Sequence, residues 1–284
     1  MLPVAHPGSL CWVNGEPGGA VSAFDRGLAF GDGVFESMRF NSRGIPLLEY
    51  HLQRLREGCE RLGIALDCDH LRAEVDTVLG SIGANHPRGV LKLIVTRGMG
   101  GRGYAAPVDA VASRILLVSG LPQHAPAWAA DGVKVRFCDM RLGNNAALAG
   151  IKHLNRLEQV MARREWSDPD IADGLLADAR GRIVEGIATN FFIASGGRLV
   201  TPVIDSCGVA GVMRRHVLEV VCPALGIPVS IAACERAMLG GAQEMFLCNA
   251  VVGIWPVRRL AARALPVGAL TRKVQAHVAA LFAD

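Results

Sequence analysis

Amine chemistry has only four possible carriers in this chain, because just Lys92, Lys134, Lys152 and Lys273 accompany a large excess of arginine among thirty cationic side chains. An amine that attacks a carbonyl must be able to lose its proton and must lie at a mouth, not on an open face. Lys273 falls in a stretch of helical period, and Lys134 lies in Val-Lys-Val-Arg, where alternation turns both charges outward, so both read as surface residues. Lys92, in Leu-Lys-Leu-Ile-Val-Thr, is either an outward strand residue or a substrate contact. Lys152 follows Ala-Leu-Ala-Gly-Ile and directly precedes a helical pattern. An apolar setting of that kind disfavours a charged amine, which makes Lys152 the candidate for covalent catalysis, against the alternative of an ordinary lysine at a helix start.

The chain that must position this lysine has 284 residues, a length that suits two domains, and is 51% hydrophobic and 20% charged, which excludes general disorder. The net charge of +4 comes from basic residues scattered singly or in pairs, so nucleic acid is not an expected partner. No window approaches the roughly 18 apolar residues of a membrane-spanning helix, and Met1 to Ser9 lacks a charged region followed by an apolar run. A cytoplasmic protein with no membrane partner is expected. Eight cysteines form no C-x-x-C pair and eight histidines show no metal-site spacing, so the cysteines read as small buried hydrophobes and no metal is expected.

Hairpins open the chain. Leu10 to Val13 meets the turn signal Asn14-Gly15 and apolar residues resume at Ala20, while Val34 to Phe40, the turn Asn41 to Gly44 and Ile45 to Tyr50 read as a second hairpin. From His51, Leu52, Leu55, Cys59 and Leu62 fall at helical spacing up to Gly63, and a second helix is expected over Asp69 to Ile82 with Asp69 as its cap. Strands Val90 to Thr96 and Arg114 to Ser119 flank the glycine-rich loop Arg97 to Tyr104. These boundaries give a first domain over 1–120, a Pro- and Ala-containing linker over 121–132 and a second domain over 133–284. In the second, a helix over Asn155 to Trp166, a meander of four strands between Gly174 and Val200, a helix from Gly211, strands at Glu244 and Gly253 and a terminal helix are expected. Strands arrive in runs without strict β-α-β alternation, so the fold class is α+β with a mixed, largely antiparallel sheet.

Several segments then carry a resemblance. Gly150-Ile-Lys-His-Leu-Asn-Arg-Leu-Glu-Gln159, Asp25 to Glu36, His51-Leu-Gln-Arg54, Arg97 to Tyr104, Glu185 to Asn190 and Thr201 to Arg214 stand in the order found in the class IV pyridoxal-phosphate aminotransferase family, and resemble its aminodeoxychorismate lyase branch. The resemblance implies a two-domain, fold-type IV architecture like that of D-amino acid aminotransferase, with a smaller N-terminal α/β domain and a larger C-terminal domain holding a mixed sheet or barrel. It implies pyridoxal 5'-phosphate as cofactor, carried by Lys152. It places Glu185 against the pyridine nitrogen and makes Arg54, the backbone N–H groups of Val212 and Met213, and Asn249-Ala250 the phosphate ligands, a helix N-terminus being suited to that charge. Related D-amino acid transaminases have tyrosine where this chain has Phe35, so a hydroxyl is missing, and Asn155 is the expected partner of the cofactor's phenolic oxygen.

The branch implies a small dicarboxylate substrate, 4-amino-4-deoxychorismate, converted to 4-aminobenzoate and pyruvate. Arginine suits planar carboxylates, so Arg102 in the glycine-rich loop and Lys92 are the expected substrate contacts. Arg97 is either a third contact or only an anchor of the loop, and Ser37 and Arg39 alternate with Phe35 toward the same side or toward solvent. The alternatives are an aminotransferase acting on D-amino acids or branched-chain amino acids, and a noncatalytic binding protein of the same fold. A homodimer is expected from the resemblance.

Overall fold

The computed structural model describes residues 9–83 and 86–283, so the expectation about the first eight residues lies outside it. Two compact units emerge. One comprises the chain up to Pro122 together with Ile151–Asn155, and the other comprises Gln123–Gly150 and Arg156–Ala283.

The first unit is built on an antiparallel sheet in the order β2-β1-β5-β4-β3. Its strands are β1 (Leu10–Val13), β2 (Glu16–Pro17), β3 (Gly33–Phe40), β4 (Gly89–Thr96) and β5 (Ser113–Ser119). A five-residue helix, α1 (Arg26–Phe30), precedes β3, and α2 (Leu48–Leu62) and α3 (Cys68–Ile82) follow it. Strand alternation sorts β3 into Val34, Glu36, Met38 and Phe40 on the buried side and Phe35, Ser37 and Arg39 on a half-buried side. The buried row meets Leu52, Leu55 and Cys59 of α2 and Leu71, Val75 and Val78 of α3 in one core.

Local chemistry explains where the boundaries differ from expectation. The turn at Asn41 closes through reciprocal backbone hydrogen bonds to Gly44, but no strand returns over 45–50. Leu47 has a left-handed backbone (φ 62°) and α2 starts at Leu48, so β3 pairs with β4 instead, setting Ser37 opposite Lys92 and Phe35 opposite Ile94. The first hairpin is also tighter than expected, with Glu16–Pro17 as the returning strand. Asp67, not Asp69, caps α3, accepting from the N–H groups of Asp69 and His70.

The second unit carries a mixed sheet in the order β11-β10-β9-β12-β13-β6-β7-β8, with a short β14 (Arg263–Ala264) on β13. The strands are β6 (Val133–Leu142), β7 (Ile171–Asp178), β8 (Ile183–Gly186), β9 (Asn190–Ser195), β10 (Arg198–Pro202), β11 (Val229–Ala232), β12 (Glu244–Asn249) and β13 (Gly253–Leu260). The pairs β10/β11, β13/β6 and β6/β7 are parallel, and the rest antiparallel, which makes the class α+β as expected. Helices α5 (Leu157–Arg163), α6 (Val212–His216), α7 (Cys222–Ala224), α8 (Arg236–Gly240) and α9 (Ala269–Ala279) join these strands, a π-helical turn at Val217–Val221 linking α6 to α7. The stretch expected as a linker is not irregular throughout. It holds α4 (Ala127–Ala130), whose Trp128 ring lies 5.0 Å from that of Trp255, and Arg272 and Gln275 of α9 donate to the Ala129 carbonyl.

Candidate active site

Lys152 is positioned by the edge of the first sheet. β3 is the outer strand there, and the extended segment 151–155 lies along it: the Phe35 N–H donates to the Lys152 carbonyl (2.9 Å), the Leu154 N–H to the Gly33 carbonyl (3.0 Å), and Val34 bridges to His153. The helix expected from Asn155 therefore begins only at Leu157. The alternative partner for this segment would be water, and pairing with the edge satisfies both backbones. The half-buried Lys152 ammonium sits 4.4 Å from the centre of the Phe35 ring, and Lys92 approaches the same ring at 5.2 Å. Two of the four lysines thus approach one aromatic ring, and Ser37 pairs with Lys92. Lys92 is half-buried beside the same ring as Lys152.

On the opposite face of β3, Glu36 is fully buried and takes the bidentate guanidinium of Arg54, Nε to Oε1 at 2.7 Å and Nη2 to Oε2 at 2.5 Å, while His51 Nδ1 meets Oε2 at 2.6 Å. The H-x-x-R spacing puts His51 and Arg54 on one face of α2, aimed at one strand position. Burial pushes the Glu36 carboxyl up, but Arg54 and His51 outweigh it and hold it at about 2. Burial also pushes His51 down, with Glu36 only partly opposing and the charges of Arg54 and Lys152 adding to the decrease, so the ring is neutral. A carboxylate facing Nδ1 makes that nitrogen the protonated one, which leaves Nε2 as a buried acceptor with no partner. Glu36 and His51 escaped the sequence reading. A glutamate at an inward strand position was the available signal, since a buried carboxylate demands a cation.

The structure gives two residues other tasks. Asn155 is exposed, and its side-chain amide donates to the Gly31 carbonyl at the C-terminus of α1. Gly31 is left-handed (φ 67°), and a Cβ there would lie 2.4 Å from Asn155 Oδ1. Arg97 directs its guanidinium to Asp32 (2.7 Å), the Leu62 carbonyl and the Gly63 carbonyl (both 2.6 Å), bonds that anchor its loop. Arg102 is exposed on the same loop.

The second unit holds the remaining candidates. Glu185 is the penultimate residue of β8, is 3% exposed, and accepts the Val209 N–H at 2.8 Å. The turn after it is built around buried Asp173, which takes the N–H groups of Ile187 and Ala188 and the Thr189 hydroxyl. Burial raises the Asp173 carboxyl against these hydrogen bonds. Burial lowers Arg156, with the charge of Glu185 opposing. Two glycines let the backbone pass close to Glu185 and Asn190: a Cβ on Gly208 (φ 85°) would meet Val184 at 2.7 Å, and one on Gly211 would lie 1.9 Å from Asn190 Oδ1. Gly211 caps α6, so the buried Val212 and Met213 supply first-turn N–H groups that have no partner within their own helix. The Asn249 side chain closes a turn: Oδ1 accepts from the N–H groups of Val251 and Val252, and Nδ2 donates to the Ala188 carbonyl. It shapes the turn that carries Ala250.

Residues 33–260 match the family model for class IV amino-transferases. The chain is 32% identical to an aminodeoxychorismate lyase of Vibrio harveyi over 94% of this chain and 98% of that one. It is 28% identical to a D-alanine aminotransferase of Bacillus licheniformis over 90% and 89%. Among solved structures, 4-amino-4-deoxychorismate lyase from Pseudomonas aeruginosa superimposes with a TM-score of 0.90 at 48% identity, covering 94% of this chain and 97% of that one.

Proposed function

Since the chain belongs to the class IV aminotransferase family, we propose that it is a lyase that converts 4-amino-4-deoxychorismate to 4-aminobenzoate and pyruvate. The observation that carries this reading over an aminotransferase is the 48% identity to a lyase across nearly the full length of both chains, against 28% to the D-alanine aminotransferase.

The family uses pyridoxal 5'-phosphate, and the donor set fits it. An amine on a braced strand edge, a buried carboxylate that accepts the Val209 N–H, and a helix start with first-turn N–H groups are the groups an aldehyde, a ring nitrogen and a phosphate require. Lys152 is the residue that carries the cofactor, Glu185 faces its ring nitrogen, and Arg54, Val212, Met213 and the Asn249-Ala250 turn hold its phosphate. When bound, pyridoxal phosphate supplies an electron sink beside the substrate amine.

Arg102 and Lys92 hold the two substrate carboxylates. The Lys152 amine takes the proton from the amine-bearing ring carbon, and Glu185 keeps a proton at the ring nitrogen throughout. The neighbouring carbon–oxygen bond breaks, the leaving enolpyruvyl group gains a proton on carbon to become pyruvate, and the ring becomes aromatic. Atoms balance without water or a second substrate, and aromatisation makes the step downhill. The protein works as a homodimer in the cytoplasm: Phe24, Leu28 and Tyr104 expose 75%, 72% and 86% of their surface around α1 and the following loop, an apolar area suited to a second copy. No helix among the described residues is long and apolar enough to cross a membrane.

Purified protein given 4-amino-4-deoxychorismate without any keto acid is expected to release 4-aminobenzoate. Strict dependence on an amino acceptor overturns the lyase reading in favour of transamination. Sedimentation that finds an active, cofactor-loaded monomer overturns the dimer.

A further inference from the structure

Arg26 is 4% exposed, yet no part of the chemistry above uses it. Its guanidinium donates to Asp32 (2.9 Å) and to three consecutive backbone carbonyls, Gly103 (3.1 Å), Tyr104 (2.9 Å) and Ala105 (3.3 Å). Its own N–H donates to the Gly98 carbonyl, and the Gly100 N–H returns to Phe24. The glycine-rich loop is therefore wound around an arginine of the same unit. Gly100 is glycine for that reason, because a Cβ there would lie 2.6 Å from Arg26 Cδ. The Phe30 ring covers the guanidinium at 4.9 Å and meets the Tyr104 ring at 5.4 Å.

We propose that Arg26 is the positioning residue for Arg102, fixing the loop on both sides of it and so setting the affinity for the substrate carboxylate; this rests on the lyase reading. Arg102 lies between Gly100 and Gly103, each tied to the 24–26 segment, so it projects from a short span with little freedom left. Ordering a free loop costs conformational entropy. Here that cost falls on folding and not on substrate binding. Charge acts in the same direction. Arg26 and Arg97 share the single carboxylate of Asp32, so the base of the loop retains one positive charge behind Arg102. Lysine cannot replace Arg26, since a point-charge ammonium cannot reach a carboxylate and three separate carbonyls at once.

The test is steady-state turnover of 4-amino-4-deoxychorismate by the holoenzyme and its Arg26→Gln, Arg26→Lys, Arg102→Gln and Arg26→Gln/Arg102→Gln variants. Arg26→Gln is expected to raise KM about tenfold or more with kcat within about threefold and the cofactor absorption band intact. Arg26→Lys is expected to restore none of it. The double variant is expected to fall well short of the product of the single effects, because a misplaced loop costs nothing further once Arg102 is gone. Gly100→Ala, which leaves every charge in place and crowds only the Arg26 stem, is expected to raise KM in the same way even if Arg26→Gln fails to fold. An unchanged KM in both Arg26→Gln and Gly100→Ala, or singles whose effects multiply fully in the double variant, overturns the proposal. A wild-type protein that yields no 4-aminobenzoate overturns the lyase reading and the substrate part of this inference with it.

Discussion

Arg54 holds Glu36 through two parallel hydrogen bonds across the inner face of β3, with the neutral His51 ring against the same carboxylate. Glu36 is held at about 2 from an ordinary value of 4.5, so its charge stabilises the fold above pH 4.5, and that contribution is lost as pH falls toward 2. His51, lowered from 6.5, opposes protonation in the fold and steepens acid unfolding in the same direction. Glu36→Gln is expected to lower stability at pH 7 by about 3 kcal/mol, because it leaves a buried guanidinium short of its counter-charge. Denaturant unfolding from pH 7 to 3 checks this: the variant is expected to show a shallower fall below pH 4.5 than the wild type, and parallel curves would count against it.

Lys152→Ala is expected to abolish covalent attachment of the cofactor and to lower kcat by at least about 10²-fold. Borohydride reduction of the wild type followed by peptide mapping should find the label on Lys152. A label on Lys92, the other amine at the Phe35 ring, would reverse their roles.

Glu185→Gln preserves a carbonyl oxygen for the Val209 N–H, so little change in melting temperature is expected. With the charge gone, kcat should fall by about 10²-fold or more while the cofactor remains bound. Retained turnover would place the ring nitrogen elsewhere.

Gly211→Ala sets a methyl group on Asn190, whose amide also donates to the Val209 carbonyl at 3.0 Å. Overpacking of this kind costs about 1–3 kcal/mol, and the shifted α6 start should release the phosphorylated cofactor more readily than it releases pyridoxal, which has no phosphate. Equal loss of both in equilibrium titration would remove the phosphate from this helix.

What was readable beforehand follows from how far each signal reaches. Periodicity found α2 and α3, because Leu52, Leu55 and Cys59 each report their burial through local spacing. It failed at Ile45 to Tyr50, where an apolar alternation was interrupted by the left-handed Leu47 and became the start of a helix. The motif around Lys152 marks the reactive amine, yet local spacing shows the segment only as the lead into a helix of the second domain. Its partner is a strand edge more than a hundred residues earlier, and no local pattern carries that information. Asn155 and Arg97 were assigned by type, and each turned out to be committed to a carbonyl that spacing cannot reveal. Arg26 was invisible for the same reason, since its partners are main-chain oxygens, which every sequence has in equal supply.

The pairing of 151–155 with β3 ties the cover of a sheet border to the placement of the amine. An open outer strand invites intermolecular association, and here the ribbon that covers it is the one bearing the reactive lysine. Displacing that ribbon would therefore bare the border and unseat the amine together.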